Sequence, residues 1–478
     1  MNRKRIAMAL LACGALMLGA TAQQPDARKQ VIEGIESRSQ AYAGVALQIW
    51  NFAETGYQEV KSSALLEAGL EEAGFSMQRA VADIPTAFVA SYGKGRPIIA
   101  FIGEYDALPG LSQQAIPEKK PVSAGAPGHG CGHNLLGTAS MAAAIAVKDW
   151  LAATRREGTV RYVGTPAEEG GAGKVYMVRA GIFRDVDIVI SWHPGDNNQA
   201  SPASNLANIS ARFRFHGVSS HAAAAPDKGR SALDAVEAMD MMVNMLREHV
   251  PQETRIHDII TRGGDAPNIV PEFAEVYYVA RHPEMRILEL IWQRIIDTAK
   301  GAALGTGTTM DMEIVGGMYN ILPNAYLADL QQKNLERLGG IQYTDDERAF
   351  AETLRRTMTD PGLPLGSEQK IQPPDAHITP ASTDLGDVSW NVPTTEFTTA
   401  TWVPGTAAHT WQATACDGMS IGIKGMMLAA KTMALTGVDL FSDPARIQKA
   451  RAEFEQRRGN VVYKAIIGDR KPPLDYRK

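Results

Sequence analysis

The sequence predicts an α/β protein with a mixed, largely parallel sheet, into which a smaller α+β domain is inserted. Strand-like apolar runs alternate with helix-like stretches over residues 85–191, and that order is typical of parallel sheets. Between residues 203 and 323 the order becomes strand, helix, strand, strand, helix, strand, as in ferredoxin-like domains. Helical stretches then return. The chain is therefore predicted to divide into segments 1–22, 23–202, 203–323 and 324–478.

The first segment has the pattern of an export signal. A basic region, residues 2–5 with Arg3, Lys4 and Arg5, precedes an apolar run over residues 6–19, and Ala20-Thr21-Ala22 is a small-x-small cleavage site. The apolar run is too short to span a membrane comfortably, and no later stretch approaches a span. We therefore expect an exported, periplasmic protein. A lipid anchor on Cys13 is the less favoured alternative, because only seven apolar residues precede it.

The composition excludes some classes of partner. Hydrophobic residues make up 45% of the 478 residues and charged residues 21%, which is ordinary for a globular protein. Removing residues 1–22 takes away three basic side chains and no acidic one, so the net charge of −5 becomes −8. An acidic chain of this kind is not expected to bind nucleic acid or an anionic membrane as its main partner.

The alternating segment places polar residues after three of its strands. The predicted helices cover residues 30–53, 62–73 and 135–147, and the predicted strands cover residues 85–92, 97–102, 159–163 and 186–191. Asp106, the pair Glu168 and Glu169, and His193 follow the last three strands. Parallel strands collect their ligands at the edge where their carboxyl ends lie. We therefore expect these side chains to lie close together.

The inserted segment and the last segment are also predicted element by element. The strands are expected at residues 209–215, 256–261, 274–279 and 310–315, with helices at 231–248 and 283–303. After the insertion, helices are expected at 324–338, 345–358 and 418–435, with a charged helical tail from residue 444. Residues 359–383 are rich in Pro, Gly and Ser and predict a long surface loop, and the polar stretch 382–389 is expected to line a cleft.

A glycine-rich stretch, residues 128–134, carries Cys131 and His133 two positions apart. Glycine lets the backbone turn so that both side chains point to one centre, and thiolate and imidazole are ligands for zinc and similar metals. The plainer interpretation is a lone buried Cys beside a capping loop. A disulfide to Cys416 is a second alternative, because the mature chain keeps two cysteines in an oxidising compartment. A disulfide would remove Cys131 as a thiolate ligand, and we expect the metal instead.

The adjacent carboxylates Glu168 and Glu169 suit a hydrolytic site in which the two side chains have different roles. One can bind a metal while the other stays free as a base. A metal lowers the pKa of water to about 7, so a free carboxylate nearby can take the proton near neutral pH. His409, in a late loop, is a further candidate ligand. Each of these residues alone has an ordinary structural explanation, and it is their combination that predicts a metal site.

The motifs, taken in order, resemble those of the M20 metallopeptidase/aminoacylase family, and specifically its amidohydrolase branch with a Cys-x-His ligand pair. They are Gly-Glu-Tyr-Asp-Ala-Leu-Pro at Asp106, His-Gly-Cys-Gly-His-Asn at Cys131 and His133, Pro-Ala-Glu-Glu-Gly-Gly at Glu168 and Glu169, Trp-His-Pro at His193, Ser-Ser-His-Ala at His221 and His-Thr-Trp at His409. The resemblance extends over about residues 31–436. It implies a metal-dependent exopeptidase-like catalytic domain with an inserted lid and dimerisation domain.

The resemblance also implies roles for single residues. Cys131 would bridge two divalent metal ions, zinc or manganese, whose shells are completed by His133, Glu169, His193 and His409. Glu168 would be the general base.

Four further residues would act beside the metals. Asp106 matches an aspartate that orients a ligand rather than binding metal. His221 would reach the partner subunit's site and stabilise an oxyanion. Asn268 would bind the substrate carboxylate, and Arg281 is a weaker candidate for the same task, with a surface arginine as the simpler interpretation.

The implied function is hydrolysis of the amide bond of N-acyl or N-aroyl amino acids, such as aminobenzoyl-glutamate. A dipeptidase or carboxypeptidase of the same fold is the nearer alternative, and a non-catalytic binding protein is the more distant one. A retained Glu168 argues against the binding protein, since pure binding needs no free base beside the ligands. The expected partner is a second copy joined through the lid domain, with a related subunit as the alternative.

Overall fold

The computed structural model describes residues 27–477. The predicted export signal and Cys13 lie outside the described residues, so export stays a prediction. The strands are β1 (Ser76–Arg79), β2 (Phe88–Lys94), β3 (Ile98–Gly103), β4 (Gly158–Gly164), β5 (Ile188–Ile190), β6 (His193–Gly195), β7 (Ser204–Asn205), β8 (Ala207–His216), β9 (Arg255–Arg262), β10 (Phe273–His282), β11 (Thr309–Met318), β12 (Ile378–Thr379), β13 (Thr394–Thr395) and β14 (Thr398–Ala400).

The helices occur before, between and after these strands. They are α1 (Ala27–Glu36), α2 (Ser39–Phe52), α3 (Val60–Glu72), α4 (His133–Thr154), α5 (Glu168–Gly171), α6 (Gly173–Arg179), α7 (Ala232–Leu246), α8 (Met285–Thr306), α9 (Ala325–Leu338), α10 (Asp345–Arg355), α11 (Leu385–Ser389), α12 (Trp411–Asp417), α13 (Ser420–Ser442) and α14 (Pro444–Arg458). Short 3-10 turns lie at Val81–Asp83, Pro226–Lys228, Arg247–His249 and Ser367–Gln369.

The main sheet has six strands in the order β1-β2-β4-β3-β5-β13. Strands β4, β3, β5 and β13 are parallel to one another, whereas β1 and β2 are antiparallel additions at one edge. Strand β3 is apolar and almost wholly buried, because helices cover both faces of the sheet. The sheet is therefore mixed and largely parallel, as the sequence predicts.

Helix α4 forms the centre of the core and begins at His133, so the Cys-x-His stretch is fixed at the start of a buried element. It packs along the apolar helix α13. By length and composition α4 could span a membrane, which the sequence prediction overlooked because it counted only residues 135–147. However, 83% of its most apolar window is buried inside the protein. Core packing accounts for that hydrophobicity.

The inserted segment folds around a core of its own. Strands β8, β9, β10 and β11 form an antiparallel sheet in the order β11-β8-β10-β9. Burial alternates residue by residue along β10, which shows that one face of this sheet packs and the other faces outward. Helices α7 and α8 cover the packed face, around Phe213, Phe215 and Trp292. This is the ferredoxin-like order that the sequence predicts.

Two predicted elements are wrong in detail. The helix expected at residues 30–53 is two helices, because the backbone turns at Ser37, whose hydroxyl donates to the Gly34 carbonyl and closes α1. The strand expected from residue 85 begins only at Phe88. The preceding residues form a hydrogen-bonded turn in which the Val81 N–H donates to the Ala87 carbonyl. Apolar periodicity alone marked neither interruption.

Candidate active site

The carboxyl edge of the main sheet brings the predicted strand-end residues together. Strands β3 and β4 end side by side, with Gly103 paired to Gly164, and β5 lies on the other side of β3. Asp106, Glu169 and His193 follow these strand ends and meet the start of helix α4. The parallel register thus gathers side chains that lie far apart in the sequence.

Two groups of side chains share Cys131. The ligand atoms of Cys131, His133 and His193 lie within 4.8 Å of one another, and so do those of Cys131, Glu169 and His409. The Cys131 Sγ is 3.5 Å from His193 Nε2, and Glu169 Oε1 is 3.1 Å from His409 Nε2. His409 is about half exposed, whereas the other four are buried or nearly so. The geometry therefore assembles all five candidate ligands around one shared thiol.

Two buried atoms in these groups make no well-aligned hydrogen bond among the described residues, although each has another nitrogen or oxygen 3.1 Å away. They are His133 Nε2 and Glu169 Oε1. Buried polar atoms without partners are costly unless something else coordinates them. Nitrogen, sulfur and carboxylate donors converging in this way fit a divalent metal of the zinc type. The residues present therefore fit the metal pair that the motifs imply.

Asp106 lies behind the candidate ligands and uses both carboxylate oxygens. Its Oδ1 is 2.9 Å from His133 Nδ1, and its Oδ2 accepts from the Glu169 N–H at 2.9 Å. The first contact fixes the imidazole so that Nε2 faces the cluster. Burial alone would raise the pKa of Asp106, but His133 and these hydrogen bonds outweigh burial and lower it. This geometry suits a residue that orients His133 and Glu169 rather than one that binds the metal itself.

Glu168 lies beside Glu169 and lines the same cleft. Burial raises the pKa of Glu168 well above its usual value, and the charges of Glu169 and Glu104 raise it further. A carboxyl group whose charged form is disfavoured in this way holds a proton readily. A bound dication nearby would favour its charged form again.

A buried ion-pair cluster beneath the site was missed by the sequence analysis. Lys174 is fully buried, and its Nζ lies 2.7 Å from Glu104 Oε1 and 2.6 Å from Asp384 Oδ1. The other oxygen of Glu104 is 3.1 Å from His133 Nε2. Burial lowers the pKa of Lys174, but the two carboxylates outweigh burial and raise it. Glu104 belongs to the motif around Asp106, and Asp384 belongs to the polar stretch 382–389. No pattern in the sequence indicated that Lys174 is buried.

The cleft in front of these residues has a volume of about 630 Å³. Its wall combines apolar Phe397 and Trp402 with polar Asn205, Ser382 and Glu396. Ser382 thus lines the cleft as the sequence analysis expects of stretch 382–389. Glu396 directly follows β13, and burial together with the Glu104 charge raises its pKa to about 8. The cleft can therefore hold a molecule with an apolar body and polar ends.

The other three predicted residues lie on the inserted domain. His221 is exposed, and its Nδ1 accepts from the Ala223 and Ala224 N–H groups at 3.2 Å each. The Ala222 N–H donates to the Asn268 carbonyl, so His221 and Asn268 are neighbours. Neither is among the residues that line the described cleft. Arg281 donates to the Ser382 hydroxyl at 3.0 Å and so reaches the wall of that cleft.

Both cysteines in the described part of the chain are free and buried. Cys416 packs among Trp402, Val403 and Ile421 in a small apolar cluster. Burial raises the pKa of each thiol. A thiolate at Cys131 therefore needs a positive partner, which a bound metal ion would supply.

The fold and these motifs match a known family. The family model for peptidase family M20/M25/M40 matches residues 100–434. The chain belongs to this family and is a hydrolase. The resemblance drawn from the motifs is confirmed.

Several known proteins are similar along nearly the whole chain. One subunit of the p-aminobenzoyl-glutamate hydrolase of Escherichia coli K12 is 43% identical over 451 residues, covering 89% of this chain and 94% of that protein. The Xaa-Arg dipeptidase of Mus musculus is 30% identical over 444 residues, covering 90% and 92%. Among solved structures, a dinuclear metal-binding M20 peptidase from Bacillus subtilis is 17% identical with a TM-score of 0.58, covering 85% of this chain and 99% of that one.

Proposed function

We propose that this hydrolase is a dinuclear metallo-amidohydrolase that cleaves the amide bond of N-acyl or N-aroyl amino acids, with aminobenzoyl-glutamate as the leading substrate. The observation that carries the proposal is the pair of ligand groups sharing Cys131, next to the carboxyl group of Glu168, which lies outside both groups. The 43% identity to the Escherichia coli hydrolase subunit supports the substrate class. The thiolate and the three imidazoles suit zinc, and the carboxylate together with the family resemblance leaves manganese open.

In this proposal the protein's own residues divide the work. Bound metal would supply acidification of water and polarisation of the amide carbonyl. Glu168 would accept the proton of the attacking water and later pass it to the leaving amine. Asp106 would hold His133 and the Glu169 backbone in place through its two oxygens. His221 of a partner subunit would donate a hydrogen bond to the developing oxyanion.

The substrate would lie along the cleft. Phe397 and Trp402 offer an apolar wall for an acyl or aryl group. Asn268 and Arg281 are the proposed contacts for the amino-acid carboxylate, and Arg281 is the one placed against the cleft wall in this chain, through Ser382.

A dipeptidase of the same fold is the second candidate. Glu396 lines the cleft as an additional carboxyl group and could pair with a cationic side chain of a dipeptide. The 30% identity to the mouse Xaa-Arg dipeptidase supports this alternative.

A substrate panel on metal-reconstituted protein tests the proposal. We expect hydrolysis of aminobenzoyl-glutamate and hippurate-like amides, loss of activity with a chelator, and recovery with Zn²⁺ or Mn²⁺. Dipeptides ending in Arg or Lys form the comparison set. Preference for those dipeptides would favour the second candidate, and activity that survives complete metal removal would contradict both.

We also propose that the protein forms a dimer through the inserted domain, with a related subunit as the alternative partner. This domain exposes Met241 and Met245 on α7, and Ile259 on the edge strand β9, each about 60% accessible. An unpaired edge strand with apolar neighbours is suited to pairing with another chain.

The dimer predicts rescue between two inactive variants. His221→Ala should keep its metal but lose activity, and His409→Ala should bind metal poorly. A mixed dimer would hold one intact composite site, so an equal mixture should recover about a quarter of wild-type activity. Activity assays after proven subunit exchange measure this. Absence of any rescue would rule out a role of His221 across the interface.

A further inference from the structure

The loop that carries Glu168 and Glu169 has an unfavourable backbone. Ala167 has a φ of 58° and Ala172 a φ of 56°, with Gly170 at 89° between them. The left-handed region suits Gly, but a residue with a Cβ is disfavoured there. A loop with two such alanines persists only where the surrounding structure holds it, and such loops concentrate at functional sites.

Contacts from the catalytic domain hold part of this loop. Its backbone polar groups are bound one by one: the Ala167 N–H donates to Glu59 at 2.8 Å, the Glu169 N–H donates to Asp106 at 2.9 Å, and the Gly171 carbonyl accepts from the Tyr57 hydroxyl at 2.7 Å. The carbonyl of Glu169 itself receives its hydrogen bonds from elsewhere.

That carbonyl accepts two hydrogen bonds from the far end of the described chain. The Tyr476 hydroxyl donates to it at 2.9 Å and the Arg477 guanidinium at 2.7 Å. The Tyr476 ring also meets the Tyr57 ring edge-on, with centroids 5.6 Å apart. Glycine makes this approach possible, because a Cβ on Gly56 would lie 2.2 Å from the Tyr476 hydroxyl oxygen.

The same segment, residues 459–477, also contacts the inserted domain. Arg470 donates to the carbonyls of Ile314 and Val315 on β11, at 2.8 and 2.5 Å. The segment is also bound by the catalytic domain, where Arg179 donates to the carbonyls of Gly468 and Arg470. One segment therefore links the edge of the inserted sheet to the loop that bears the candidate base and a candidate ligand.

We propose that Tyr476 and Arg477 are positioning residues that hold the Glu169 backbone, and with it the ligand carboxylate and Glu168, in the strained form that the reaction needs. The proposal rests on the metal site put forward under the proposed function. A purely structural segment would stabilise the fold without changing how tightly the site holds metal. The positioning role and a purely structural role therefore predict different metal affinities and turnover rates for the variants, whereas both allow a change in thermal stability.

Five variants test the proposal: Tyr476→Phe, Arg477→Met, the double variant, Arg477→Lys, and Asp475→Asn as a control at an exposed neighbour. Zn²⁺ affinity is measured by competition with a chromogenic chelator, together with kcat, KM and thermal unfolding. The double variant should lose about 10–100-fold in affinity for one of two Zn²⁺ ions and a similar factor in kcat, with KM changed less. Each single variant should lose about 3–10-fold, since one donor remains, and Arg477→Lys should restore part of the loss. Asp475→Asn should match wild type.

The outcomes separate this inference from the proposed function. Wild-type protein that binds neither Zn²⁺ nor Mn²⁺ would contradict the proposed function itself. Wild-type protein with two bound Zn²⁺ ions, and variants with unchanged affinity and kcat, would overturn the positioning role even if the unfolding temperature falls. If the double variant does not fold, Tyr476→Phe decides the question, because it keeps the ring contact with Tyr57 and loses only the hydroxyl.

Discussion

Replacing Glu168 with Gln is expected to reduce turnover by about 10²–10⁴-fold while the fold and metal content persist. The amide has nearly the size of the carboxylic acid, so the half-buried position beside Glu169 accommodates it. It cannot take a proton from water, and this removes the role proposed for Glu168. Steady-state kinetics with aminobenzoyl-glutamate and a metal determination on the same sample measure the two properties independently.

The matched control is the same substitution one position further along. Glu169→Gln alters a side chain whose Oε1 lies 3.1 Å from His409 Nε2, so it should lower metal content as well as activity. The pair of variants distinguishes a base from a ligand. A Glu168→Gln enzyme that is fully loaded with metal and turns over at the wild-type rate would exclude Glu168 as the base.

The strand-end residues could be found from the sequence because their placement follows from a general rule. Strands β3, β4 and β5 are parallel, so whatever follows them meets at one edge. Asp106, Glu169 and His193 were located in this way without knowledge of any contact. Cys131 and His133 needed only local information, since a glycine-rich turn and the start of an apolar helix place them together.

The supporting contacts could not be found in this way, because they depend on pairing between distant parts of the chain. Lys174 and Asp384 are 210 positions apart, and Tyr476 is 307 positions from the Glu169 carbonyl that it contacts. Neither pair follows a periodicity or a short motif. A lysine is usually exposed, so residue type alone would have placed Lys174 at the surface.

The relation of the inserted domain to the cleft was only partly predictable. Element order predicted the ferredoxin-like fold, and the family resemblance implied that His221 acts in a partner subunit's site. Neither indicated that Asn268 would also be exposed and absent from the wall of this chain's described cleft. The proposed roles of His221 and Asn268 therefore depend on a second subunit.

Replacing Lys174 with Met is expected to destabilise the catalytic domain by about 3–5 kcal/mol. The variant keeps most of the side-chain volume but leaves Glu104 and Asp384 buried without their cation. Burial already raises the pKa of Asp384 to about 6 with the lysine present, which shows how unfavourable its charged form is. Denaturant unfolding of metal-free protein measures the change without a contribution from bound metal.

Two comparisons show whether the loss comes from uncompensated charge. Lys333→Met removes a lysine from an exposed pair with Asp329, where side chains are more than half accessible, and should have little measurable effect. The triple variant Lys174→Met, Glu104→Gln, Asp384→Asn removes all three charges, and it should recover much of the stability lost in Lys174→Met. If Lys174→Met instead unfolds at the wild-type denaturant concentration, both carboxyl groups must take up protons at little cost. The buried ion pairs would then contribute nothing measurable to the free energy of unfolding.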